Sequence, residues 1–382
     1  MVTAIKSERI VLADRLLSGY VYVKDGRIVE VTDEKKPYDT LYDLGNKYVS
    51  AGWIDLHTHG GGGFDFIHSS AEDVINGCNF HLSHGTTTIL PTLSAAPFED
   101  LFEAMGCISA ARASGRVESN LLGAHIEGPY LSLAQCGAQC PTFITPPIPE
   151  QYQKMVDHYG KDIARWTYAP ENDPEGRFAA YLTDHGILPS AGHTDATYPA
   201  IEVAAQNGMR LITHLYSCTS TVTRKQGFRS LGVIESAYLL DDLFVEIIAD
   251  GKHLPPDLIR MIIKIKGIDR VALVTDSLHI AGTDIKEGVM SGTPFIIEEG
   301  VARLRDRSAF AGSIATADVL LRTLVTECKF SIPDAVTMMT RTPANILGIQ
   351  KGRLEAGYDA DITVFDDTLT VTDVFVGGIK KL

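Results

Sequence analysis

The chain predicts an α/β fold, a (β/α)₈ barrel with a small β-sandwich domain built from the N- and C-terminal segments. Three features of the sequence lead there. Short apolar runs alternate with helical segments through the middle of the chain, and both ends are rich in strand and turn patterns. His57 and His59, then Glu127, His193, His214 and Asp276, each stand at the C-terminal end of an apolar run. Side chains delivered this way meet at one point only if the strands are parallel and wrap a common axis, and the active-site face of a barrel does that.

Residues 1–50 contain SGYVYVKDGRIVEV, with an Asp25-Gly26 hairpin signal, and YDLGNKYVS. The C-terminus repeats the character in GRLEAGYDADITVFD and LTVTDVFVGGIKKL. A lone hairpin is marginal in water, so residues 1–50 plus 350–382 are expected to pair as one small sandwich. Residues 51–349 then form the barrel.

Strand candidates there are YVSAGWIDLH, GTTTILPTLS, NLLGAHIEG, RWTYAPE, GILPSAGH, RLITHLY, LFVEIIADG and RVALVTDS. Helices are expected between them, among them SAEDVINGCNFHLSH, PFEDLFEAMGCISAARAS, YPAIEVAAQN and the proline-started PPDLIRMIIKIK. Near-continuous apolar strands imply a parallel sheet covered on its outside, and closure is the economical form. Residues 281–313 read as an insertion of hairpin character, and TADVLLRTLVTECKF and IPDAVTMMTRTPANILGI as helices leading back to the small domain.

Among 382 residues, 45% are hydrophobic and 21% charged, as in ordinary globular proteins. A formal charge of −14 argues against a nucleic-acid or anionic-membrane surface, while leaving room for a small anionic substrate held by local cations. No apolar stretch suits a transmembrane span, and MVTAIKSERIVLADR lacks the apolar core of a secretory signal. The six cysteines include no C-x-x-C pair, although Cys136 and Cys140 stand close together. A reducing cytoplasm is the expected location.

In His57-Thr58-His59, residues two apart on a strand share a face, so both imidazoles can enter the barrel mouth. Such a pair in isolation is often a solvated loop. Single histidines such as His193 and His214 are more often structural than ligating, but as a set with Glu127 they point to a divalent cation that activates water. Imidazole favours zinc, iron, nickel or cobalt over magnesium or calcium. Glu127 can bridge two cations, one on the His57/His59 pair and one on His193/His214. Alternatively, Glu127, His193 and His214 hold a single ion. His125 is the competing ligand on the Glu127 strand and reads as its supporting partner. Asp276, expected across from the other ligands, is the candidate acid/base, with a helix N-cap as its structural alternative.

The motifs AGWIDLHTHG, GTTTILPT, GAHIEGPY, AGHTDA, THLY, ADGKH, LVTDS and RTPANILGI…KGRLEAGYDADITVF resemble the amidohydrolase superfamily, and within it the N-acetylglucosamine-6-phosphate deacetylases. The resemblance spans about residues 49–365. It implies a distorted barrel, a homodimer, and one or two divalent ions with Glu127 in place of the carbamylated lysine of many relatives. It implies hydrolysis of N-acetylglucosamine 6-phosphate to glucosamine 6-phosphate and acetate, with Asp276 moving the proton and His253 orienting substrate and polarising its carbonyl. Arg224 matches an arginine that holds the sugar phosphate across the dimer interface. Asp250, Phe310, Ala311 and Gly312 fall in motifs that meet the substrate.

Departures concern the sugar. The family's H-L-[FY]-N-A-M is His214-Leu215-Tyr216-Ser217-Cys218-Thr219 here, and its K-G-[AT]-H is Cys136-Gly137-Ala138-Gln139. Ala138, Gln139, Ser217 and Cys218 are thus expected at the substrate with altered contacts, which admits a related substrate such as N-acetylgalactosamine 6-phosphate. A cyclic-amide hydrolase would need a bridging lysine where Glu127 stands. A non-enzymatic scaffold would be expected to have lost ligands that this chain retains.

Overall fold

The computed structural model describes residues 1–290 and 292–382; Ser291, inside the expected insertion, lies outside the described residues. Eight parallel strands follow in chain order: Trp53–Thr58, Thr86–Leu93, Ala124–Glu127, Ile163–Tyr168, Leu188–Ala191, Leu211–Ile212, Phe244–Ile248 and Val271–Val274. Each pairs with the next. The ring closes where the His59 N–H donates to the Ser277 carbonyl (2.8 Å) and Thr58 bridges Ser277. All eight overlap the runs read as strands, with Trp53–Thr58 reaching one residue past its run and Ile163–Tyr168 starting two residues before its own. Six of these strands are buried at every position, and Ile163–Tyr168 and Leu188–Ala191 have one partly exposed residue each, which is why their sequences are nearly continuous apolar runs rather than alternating ones.

Helices cover the outside. Ala71–Ser83 starts at Ser70, whose hydroxyl accepts from Asp73 N–H while the Asp73 carboxylate accepts from Ser70 N–H, a complete capping box. Phe98–Ala113, Tyr198–Gln206 and Pro256–Lys266 occur where expected, the last with proline at its start. Under these helices the Trp166 ring stacks on Tyr130 at 5.7 Å, with Phe178 edge-on to both. The segment after Ser331 is two helices, Ile332–Met339 and Arg341–Leu347, because Thr340 leaves helical geometry at φ −131°, ψ −79°.

The sequence reading of YVSAGWIDLH as one strand needs correction. Tyr48–Ala51 pairs with Ile362–Phe365 and Val2–Val11 in the small sheet, and Trp53–Thr58 enters the barrel. Gly52 makes the passage. A Cβ there would lie 2.1 Å from Thr87 Oγ1, so only glycine lets the chain pass this close to the second barrel strand.

The small sheet runs Ile379–Lys380, Val371–Val376, Ile362–Phe365, Tyr48–Ala51, Val2–Val11, Leu16–Lys24, Arg27–Thr32, with Thr40–Asp43 also beside Val2–Val11. Asp25 and Gly26 turn the predicted hairpin at φ 50° and 77°. Val2–Val11 is irregular between Ser7 and Ile10. Its first part pairs with Thr40–Asp43 and its last part with Tyr48–Ala51. Ile5, Val21 and Ile28 from one side of that irregularity share a core with Val49, Ile362 and Phe375 from the other.

The insertion is more than a hairpin. Glu287–Met290, Thr293–Glu298, Val301–Leu304 and Phe310–Gly312 form a four-stranded antiparallel sheet, whose Phe295 and Ala302 share a core with Leu278 and Ile280. Its last strand is tied to the barrel, since Ser313 N–H donates to the Asp276 carbonyl at 2.9 Å. A short hairpin not foreseen from sequence, Thr223–Lys225 with Phe228–Ser230, is exposed at every strand position. No helix among the described residues is long and apolar enough to cross a membrane.

Candidate active site and metal centre

The six candidate ligands meet at one end of the barrel as two buried triads, His57/His59/Asp276 and Glu127/His193/His214. In the first, the Nε2 atoms of His57 and His59 are 3.3 Å apart, and Asp276 Oδ1 lies 3.3 Å and 3.2 Å from them. Asp276 is therefore beside the histidine pair rather than across from it, because in a closed ring the eighth strand neighbours the first. In the second, Glu127 Oε1 is 3.2 Å from His193 Nε2 and 2.9 Å from His214 Nε2. The Glu127 carboxylate also faces the first triad, with Oε1 3.5 Å from His57 Nε2 and Oε2 3.3 Å from His59 Nε2. One carboxylate thus stands between the two clusters.

Local backbone conformation helps aim these side chains. His193, His214 and Asp276, each just beyond a strand end, have φ of 46°, 29° and 46°, in the left-handed region that residues other than glycine seldom occupy. Strain of this kind persists where the surroundings over-determine it, commonly at functional sites.

The hydrogen bonds on the far side of each ring test whether a cation fits. His193 Nδ1 donates to the Gln135 carbonyl (3.0 Å) and His214 Nδ1 to the Ser217 carbonyl (3.1 Å). Carbonyls only accept, so in the neutral rings both Nε2 atoms carry lone pairs. Those lone pairs face each other at 3.2 Å, a repulsive contact unless an electrophile lies between them. His57 Nδ1 meets Glu246 Oε1 at 3.0 Å, which likewise commits its Nε2 to the centre, and His59 Nδ1 bonds Ser94 Oγ at 3.0 Å. Outer partners of this type are what orient histidine ligands around metals. The donor set fits one or two divalent cations.

Charge balance gives the same answer. Burial alone disfavours ionised Glu127, yet His57 and His193 outweigh it and hold the carboxyl well below the usual range. Burial likewise lowers the imidazolium pKa of His57, but Glu127 and Asp276 reverse this and raise it to about 10. Without a cation the centre retains protons in its place.

A cavity of about 470 Å³ opens over the triads. Ala138, Gln139, Ser217, Cys218, His253, Phe310, Ala311 and Gly312 line it, together with His59, Glu127, His193, His214 and Asp276. Asp250 stands behind, accepting from His253 Nδ1 at 2.8 Å, and His253 packs against the Phe310 ring at 4.9 Å. Arg224 is on the exposed hairpin and outside this cavity. Gln139 does something the sequence did not suggest. Its Oε1 accepts from Ala95 N–H (2.8 Å), which turns its Nε2 onto Glu127 Oε2 at 2.8 Å. His125 joins neither triad; it packs edge-on against His57 and bonds Thr92 and Thr167. Among the described residues Cys136 and Cys140 belong to no metal-competent group.

Sequence reasoning missed Glu246 and Arg165, which lie fully buried beneath His57. A signal existed: each is a lone charge within an apolar strand, in FVEII and IARWTY.

Comparison with known proteins bears on the whole chain. The amidohydrolase family model matches residues 48–380. The chain is 31% identical over 364 residues to the N-acetylglucosamine-6-phosphate deacetylase of Lysinibacillus sphaericus, spanning 94% of this chain and 92% of that protein. It is 30% identical over 385 residues to the protein of the same name from Rattus norvegicus, spanning 97% and 93%. The crystal structure of N-acetyl-D-glucosamine-6-phosphate deacetylase from Mycobacterium smegmatis superposes with a TM-score of 0.91 at 29% identity, covering 100% of both chains. That of N-acetylglucosamine-6-phosphate deacetylase from Pasteurella multocida gives 0.92 at 27%, also covering 100% of both.

Proposed function

Because this chain belongs to the amidohydrolase family, and within it to the N-acetylglucosamine-6-phosphate deacetylases, we propose that it hydrolyses the acetamide of N-acetylglucosamine 6-phosphate. Acetate and glucosamine 6-phosphate leave, a step of amino-sugar catabolism. The observation that carries this reading is the pair of buried triads sharing Glu127 on the floor of a substrate-sized cavity.

His57, His59 and Asp276 would hold one divalent transition-metal ion, and Glu127, His193 and His214 another; zinc, iron, nickel or cobalt suits these donors. Such an ion supplies Lewis acidity, making water nucleophilic at neutral pH and drawing charge from a carbonyl oxygen.

The chain's own groups do the rest. Asp276 takes the proton of the attacking water and passes it to the sugar nitrogen as the C–N bond breaks. Burial alone would push its carboxyl up, but the charges of His57 and His59 draw it below the ordinary range, and a bound cation would take over that role and keep it ionised. The Asp250 carboxylate accepts from His253 Nδ1 and fixes the orientation of this ring at the cavity wall, beside the substrate. Phe310, Ala311 and Gly312 close one wall around the substrate, and Ala138, Ser217 and Cys218 form part of the rest.

Among the described residues lining the cavity there is no lysine or arginine, so a sugar phosphate needs a cation from elsewhere. Arg224, exposed on its hairpin, serves a second copy of the chain in a homodimer. Acetate release from a panel of N-acetylated sugars, with and without a 6-phosphate and in both C4 epimers, tests the reading. Preferential turnover of N-acetylglucosamine 6-phosphate is expected. No acetate from any member in the presence of zinc would refute it.

A further inference from the structure

We infer that Glu246 and Arg165 form a buried positioning pair that holds both ligand triads in register, acting through His57 and the backbone of His214. The inference rests on the metal-hydrolase reading above and concerns residues that neither line the cavity nor belong to a triad.

Glu246 lies on the seventh barrel strand and Arg165 on the fourth, and both side chains are fully buried. Arg165 grips the carboxylate through Nη1 to Oε2 at 2.6 Å and Nη2 to Oε1 at 3.1 Å. Its other N–H groups reach the Leu56 carbonyl (3.2 Å), Thr213 Oγ1 (2.8 Å) and Ser190 Oγ (3.2 Å). The guanidinium is thereby fixed to the first, fifth, sixth and seventh strands as well as its own. The carboxylate it holds cannot turn.

The fixed Oε1 atom makes two further contacts. It accepts from His57 Nδ1 at 3.0 Å and from the His214 N–H at 3.3 Å. The first sets the tautomer of a histidine in one triad. The second braces the left-handed turn that aims a histidine of the other, whose φ is 29°. A single oxygen therefore touches both clusters from below.

Stability does not account for the arrangement. Barrel interiors are usually filled by branched apolar side chains, and replacing a buried ion pair with apolar residues of similar volume is often neutral or stabilising. A carboxylate at this point does what an apolar group cannot: it keeps the proton of His57 on Nδ1. Without it the proton can move to Nε2, where it blocks ligation. His193 and His214 have carbonyl anchors of their own, so the loss should fall first on the His57 triad.

The test uses the full-length chain, stripped of metal and titrated with zinc against a chromophoric chelator, with circular dichroism and thermal unfolding in parallel. Two variants are compared with the parent, Glu246→Asp and the double change R165M/E246L. The double change removes both charges, so no buried ion is left unpaired. Expected is a native-like spectrum in at least one variant, with zinc affinity lowered ~10–100-fold at one site per chain. A folded variant with the parent's zinc affinity and stoichiometry overturns the proposal. So does failure of both variants to fold, which would make the pair purely structural. A parent chain that binds no zinc sinks the metal reading itself, a result distinct from either.

Discussion

Asp276→Asn removes a charge and a proton acceptor while preserving shape. The residue sits at φ 46°, where asparagine and aspartate are the side chains that fit most readily, so the exchange adds no backbone strain. Its main-chain bonds to the His57 carbonyl and from Ser313 N–H, both 2.9 Å, are untouched. What goes is the carboxylate 3.3 Å and 3.2 Å from the two histidines of its triad, the group assigned to proton transfer. A positioned acid/base contributes ~10²–10⁴-fold, or about 2.7–5.4 kcal/mol of barrier at ~1.36 kcal/mol per decade. Because the interaction strengthens only as the proton moves, kcat and kcat/KM should fall together with KM nearly constant. The amide oxygen is a weaker donor, so the assay is run at saturating zinc with metal content measured on the same sample. Near-parental turnover by a zinc-loaded variant would refute the acid/base role.

Zinc uptake should be linked to protons. Burial lowers the imidazolium pKa of His57 and His59, but the acids around them raise it to about 10 and about 9. Below those values the rings hold protons where zinc would bind, so affinity should fall as pH drops. Calorimetry in buffers of different ionisation enthalpy should show proton release at pH 7, and its absence would count against the His57 triad as a zinc site. Arg224→Ala should raise KM for the phosphorylated sugar with little change for the unphosphorylated one; equal effects on both would remove Arg224 from phosphate binding. Trp166→Ala empties a site 1% exposed between Tyr130 and Phe178 and should cost ~3–5 kcal/mol in denaturant unfolding. A cost below ~1 kcal/mol would mean the barrel wall collapses to fill the gap.

The ring of strands was legible because strands covered on both faces must be apolar throughout, and eight such runs stand out between helical segments. The ligands were legible because each stands at or just beyond the end of a strand. Their grouping was not: Asp276 joins His57 and His59 only once the ring closes, and closure is a long-range fact. The hairpin around Arg224 left no pattern because all six of its strand residues face solvent, so no alternation is imposed. Gln139 reads as a substrate contact by alignment, and only the Ala95 N–H reveals that it is turned onto Glu127. Glu246 and Arg165 are 81 residues apart, and each in isolation looks like a blemish in a strand.

The passage at Gly52 binds the chemistry to residues more than 300 positions later in the chain. Gly52 N–H donates to the Asp361 carbonyl at 2.8 Å, and Thr363 Oγ1 to the Gly85 carbonyl at 2.7 Å. The strand bearing His57 is thus moored on the tail. Trimming the last few dozen residues would not yield a self-sufficient catalytic fragment, because it would free the anchor of the very segment that carries the first two imidazoles. Ribosomal synthesis reaches that anchor after the whole barrel, so the centre can be completed only once the residues around 361–363 have emerged.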